Sequence, residues 1–264
     1  MTDDAAQEVR LGAVAAWVGH AVRNAPGLFA AACIARFAIE AVPAVWTARA
    51  GIGVLGSPSF WALTSISALA TALVTGLVIR WLLEPKRRSL AFDRGLAAYV
   101  VLILLFRLPP VLGAMLLRPA AGPGPLPERL AASFAVTGMT LGWSLALATL
   151  ALWPIGFLMA DRLTAREAFR RMGPAYGVWL LTYVILLLPG LALTQIQFLV
   201  HHLHRALGDR LADLAIGSLT TTLATFALAY IYARRVKGRA PAVDGRDDGA
   251  PKDIGASRSG KQPA

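Results

Sequence analysis

Residues 60–83 read FWALTSISALATALVTGLVIRWLL, and Arg80 is the only charged side chain among them. A run of that length and polarity has few ways to fold. About 20 apolar residues in a helix cross the hydrocarbon of a bilayer. In water the same helix would have to be buried on every side. Comparable runs recur at about 27–48, 95–117, 130–160, 174–200 and 211–233. Hydrophobic residues make up 56% of the 264 and charged residues only 16%. Soluble domains carry about 25% charged residues, so this chain lacks the polar surface to solvate itself. The expected fold is all-α: a polytopic helical membrane protein with six transmembrane helices plus amphipathic interfacial helices.

The domain plan follows. Residues 1–25 form an N-terminus with an interfacial amphipathic helix, in which Val9, Ala13, Trp17 and Ala21 recur every four residues beside Val14, Val18 and Val22. Residues 26–236 form the six-helix domain, and 237–264, rich in Gly, Pro, Asp, Arg and Ser, read as a disordered tail. The acidic start MTDDAAQEVR has no basic n-region, so a cleaved signal peptide is not expected and the first span serves as an uncleaved anchor. Pro109, Pro110, Pro154 and Pro189 are expected to kink or interrupt their helices. The fourth and fifth runs exceed what a bilayer needs, which implies tilt or extension.

The net charge of +11 has a topological explanation. On the six-span plan, fifteen Lys and Arg residues fall on the side of the termini and five on the other. The positive-inside bias then places both termini in the cytoplasm. Nucleic-acid binding is not expected, and anionic lipid headgroups are the natural partners of these arginines. The single cysteine, Cys33, excludes an intrachain disulfide. His201, His202 and His204, with Asp209 and Asp213 after them, contain metal-binding residue types but have no second cluster to complete a site. No cofactor and no metal are expected.

The loop ADRLTAREAFRRMGPAY, 160–176, carries a capping-box pattern: Thr164 precedes Glu167 by three residues. A short amphipathic cytoplasmic helix is expected there. Ala168, Phe169 and Met172 would face lipid or protein, with Arg166, Arg170 and Arg171 completing the basic surface. AFDRGLAAY, 91–99, and AFRRMGPAY, 168–176, share five of nine positions. One reading is three copies of a basic interfacial helix followed by a transmembrane hairpin. The other is that basic, alanine-rich interface segments resemble one another by composition.

Arg36 and Glu40 fall in the middle of the first run and Arg107 in the middle of the third. An Arg at the bilayer centre costs about 2.5–3.5 kcal/mol on insertion scales, so such residues face the bundle interior and find partners. Arg36 and Glu40, four apart, share a helix face. The three form either a structural ionic cluster or, because two cations meet one acid, an intramembrane anion site. Small residues line up at Ala68, Ala72 and Gly76, at Gly138, Gly142 and Ala146, and at Gly217, Thr221, Thr225 and Ala229, where close helix packing is expected. Sequence signatures of nucleotide-binding loops, zinc proteases and serine hydrolases are not present.

The run WPIGFLMADRLTAREAFRRMGPAYGVWLLTYVILLLPG, 153–190, and the segment AYIYARRVKGR, 229–239, resemble a bacterial family of six-span proteins. That family includes the membrane domain attached to some glycerophosphodiester phosphodiesterases. The resemblance implies the membrane architecture and a bacterial inner (cytoplasmic) membrane location, not the hydrolase activity. The leading functional expectation is a non-enzymatic accessory or scaffold protein contacting lipid or another membrane protein. The alternatives are a small transporter or lipid-handling protein with a mid-membrane anion site at Arg36, Glu40 and Arg107, and a membrane enzyme.

Overall fold

The computed structural model describes residues 9–50, 57–84, 92–117, 142–143, 145–201 and 207–238. Among these residues the protein is all-helical, with no strand. The helices are α1 (Leu11–Asn24), α2 (Pro26–Ala50), α3 (Pro58–Leu83), α4 (Arg94–Leu117), α5 (Leu152–Leu158), α6 (Ala165–His201) and α7 (Leu207–Val236). Pro26–Arg49, Pro58–Leu83 and Arg210–Val236 are long and apolar enough to cross a membrane. Large apolar side chains remain exposed midway along the helices: Ile34 and Val42 on α2, Ile66 on α3, Val101 and Leu105 on α4, and Leu181, Val184 and Leu188 on α6. Such a belt has a stable place against lipid rather than water.

Helix α7 is the hub. It packs against α1, α2, α3, α5 and α6. Its C-terminal half is closed in on nearly every side: Phe226, Ala227, Ala229, Ile231 and Tyr232 are all fully buried. Small residues make the close contacts. A Cβ on Gly76 would stand 2.8 Å from Leu96 Cδ1 and 3.0 Å from the Tyr99 ring, so α3 and α4 meet there. Gly76 is thus at a tight helix contact, and Ala72 one turn before it is buried. Gly142 and Ala146, in contrast, are exposed, and Gly138 lies outside the described residues.

Helix α1 differs from the expectation in what covers it. Val14, Trp17 and Ala21 form the buried seam, and the Trp17 ring lies 5.4 Å from that of Tyr230 on α7. Protein, not lipid, therefore covers the seam. Ala13 is exposed, because the buried positions follow offsets of three and four rather than strict fours.

The prolines act unequally. Of the four expected to disturb their helices, only Pro154 coincides with a break: residues 149–151 form a turn before α5, and Trp153 N–H donates to the Leu150 carbonyl at 2.9 Å. The helix runs on through Pro109 and Pro110 in α4 and through Pro189 in α6. A proline leaves the carbonyl four residues earlier without its helical donor. For Pro110 that is Phe106, whose carbonyl accepts from Trp143 Nε1 at 2.8 Å. For Pro43 it is Ile39, whose carbonyl accepts from Ser67 Oγ at 3.3 Å. Neighbouring elements thus satisfy backbone that the prolines free, which is how such helices persist away from water.

The capping box forms in full. Thr164 N–H donates to Glu167 Oε2 at 3.0 Å, and Glu167 N–H donates to Thr164 Oγ1 at 3.2 Å. The helix it starts is not short: α6 continues for 37 residues, so loop and fifth apolar run are one element. Residues 1–8, 130–141 and 239–264 lie outside the described residues, and with them nearly all of the tail and the start of the fourth run.

Candidate functional site

Two polar regions interrupt the apolar packing. The first centres on Arg36, near the middle of α2 and 1% exposed. Its Nη2 donates to Thr75 Oγ1 on α3 at 2.7 Å and to Thr225 Oγ1 on α7 at 2.8 Å. Each threonine hydroxyl in turn donates to its own helix, Thr75 to the Thr71 carbonyl and Thr225 to the Thr221 carbonyl. The hydroxyl protons are thereby engaged, and the oxygen lone pairs face the guanidinium. One cation joins three helices.

Glu40 is half-buried one turn further along α2. Arg107 lies within α4, but its side chain is outside what the structure describes. Arg36 is thus brought to Thr75 and Thr225, two partners that the sequence reading did not assign to it. His201 is the last residue of α6, and His202 and His204 lie outside the described residues.

The second region gathers at the end of the bundle where α3, α5 and α7 finish and α4 begins. Arg80, 7% exposed, donates through Nη2 to Asp93 Oδ1 at 2.7 Å and to the Leu158 carbonyl at 3.4 Å. Asp93 also caps α4, accepting from Leu96 N–H at 2.9 Å. The Arg80 hydrogen bond, helped by the Leu96 N–H, holds the Asp93 carboxyl below the usual aspartate range. A Cβ on Gly95 would meet the Phe157 carbonyl at 2.8 Å, so only glycine lets α4 approach α5 this closely.

Helix α5 ends in a Schellman pattern. Asp161 N–H donates to the Gly156 carbonyl at 2.9 Å and Ala160 N–H to the Phe157 carbonyl at 3.1 Å. Ala160 takes the left-handed conformation, φ 55°, that glycine usually supplies. This turn presents Asp161 to α7, where it accepts from the buried Tyr232 hydroxyl. Lys237 Nζ stands 3.7 Å from both Asp161 and Glu84.

The basic loop reaches the same end. Arg171 Nη1 donates to the Val236 carbonyl at 3.3 Å, and Arg235 Nε donates to the Arg171 carbonyl at 2.9 Å. Arg171 therefore ties α6 to the end of α7. Arg166 and Arg170 stay exposed, as does Phe169, while Ala168 and Met172 are fully buried. Hydrogen bonds from Thr164 hold the Glu167 carboxyl below its usual range, with Arg171 and Arg170 adding to the effect.

No family model, curated protein or solved structure matches the chain.

Proposed function

We propose that this is a multi-pass protein of the bacterial inner membrane, with six spans and both termini cytoplasmic, acting as a non-enzymatic scaffold or accessory that contacts lipid or another membrane protein. The observation carrying this reading is the bonding of Arg36: its buried guanidinium is engaged by hydroxyls of two other helices, which is the work of a structural tie. The convergence of Arg80, Arg94, Arg171 and Arg235 at one end supports the orientation, by the positive-inside bias. The relation to the six-span family is part of the same proposal.

A small transporter or lipid-handling protein is the competing reading, favoured by the buried hydroxyls of Thr71, Thr222 and Thr225 near the arginine's level. Thermal unfolding of the purified chain in detergent separates the two, using wild type, Arg36→Met and Arg107→Ala against small anions. A ligand that binds only the folded state raises its stability. The scaffold reading expects no anion-dependent shift that requires Arg36. A shift in wild type that disappears in Arg36→Met overturns it.

A further inference from the structure

The outward face of α6 changes chemistry along its length. Arg166, Arg170, Gly173, Gly177, Leu181, Val184 and Leu188 are all exposed. Their spacing of three or four residues puts them on one helix face. The face begins basic, passes through two glycines and becomes apolar. Among the described residues, nothing lies within 4 Å of where a Cβ on Gly173 or Gly177 would stand. At 1.5 Å per residue, Gly173 to Val184 spans about 16 Å, close to one leaflet of a hydrocarbon core about 30 Å thick.

We infer that this face seats an anionic phospholipid, its phosphate on Arg166 and Arg170 and an acyl chain along Gly173, Gly177 and Leu181. The inference rests on the scaffold reading and names its partner. Charge complementarity selects the occupant. Whatever covers this face must be anionic at one end and apolar beyond it, and an anionic phospholipid has that order. A second copy of the chain in the same orientation would set Arg166 and Arg170 against their own counterparts, and like charges repel.

The test counts lipids retained by the purified full chain, by native mass spectrometry, from micelles holding equal phosphatidylglycerol and phosphatidylcholine. Wild type should retain phosphatidylglycerol in preference by about tenfold. Arg166→Gln with Arg170→Gln should bring the preference near unity. Gly173→Leu with Gly177→Leu should lower retention without lowering the lipid-free melting temperature, since no described residue stands within 4 Å of either new Cβ. Arg49→Gln, an exposed arginine on α2, should change nothing. A preference that survives the double arginine substitution overturns the inference. So does a disulfide-linked dimer formed by Gly177→Cys in a Cys33→Ser background, which would make the face a protein contact. Neither outcome depends on Arg36, so failure here leaves the anion test of the scaffold reading intact.

Discussion

Arg36 and Arg80 are both buried, yet they are compensated in different ways. Arg36 sits mid-helix and bonds the neutral hydroxyls of Thr75 and Thr225. Arg80 sits in the last turn of α3 and bonds a carboxylate, Asp93, whose side chain is 55% exposed. Deep in the bundle no solvent shares the charge, and hydroxyls fixed on two other helices help to hold it. At the helix end, water reaches Asp93 and screens the pair. The first arrangement is therefore costly to break, and the second is replaceable in part by solvent.

Substitutions should separate the two. Arg36→Ala removes two charge-assisted hydrogen bonds and leaves a cavity, and should cost about 3–4 kcal/mol in a detergent unfolding assay. Arg80→Ala should cost less, about 1–2 kcal/mol, because Asp93 can rehydrate. Equal losses would remove the distinction. Ala160→Gly should stabilise by about 1 kcal/mol, since it relieves a left-handed alanine without touching a contact.

The smallest effect is a pH dependence. Asp93 is held below the usual aspartate value of 3.8 in the folded protein. Its contribution is therefore complete above that value and lost as pH falls through the lowered pKa. Asp93→Asn should flatten this acid limb of the stability curve, whereas Thr225→Val should leave it unchanged. An unaltered limb in Asp93→Asn would assign the acid sensitivity elsewhere.

The apolar runs at 60–83 and 95–117 fall within a residue or two of α3 and α4, whereas the described part of the run at 130–160 is interrupted by the turn at 149–151 before the short α5. Arg36 was legible because a charge in an apolar run must find a partner. Its partners were not, since Thr75 and Thr225 look like any span threonine that bonds its own helix, as Thr222 does with the Ser218 carbonyl. Arg80 was readable only as an orientation signal, because its partner Asp93 stands at the start of the next helix. The carbonyls freed by Pro43 and Pro110 can be located by counting back four residues. The donors that satisfy them, Ser67 and Trp143, are set by tertiary packing. Gly173 and Gly177 passed unnoticed because their openness is visible only once α6 is seen as one helix.

The central claim is that Arg36 is a tie between helices, and a double-mutant cycle tests it most directly. Arg36→Met, Thr225→Val and the pair would be compared by unfolding in mixed detergent micelles. A direct bond predicts a coupling of about 1 kcal/mol between the two sites. Strictly additive losses would contradict it, and Arg36 would no longer be a structural link between α2 and α7.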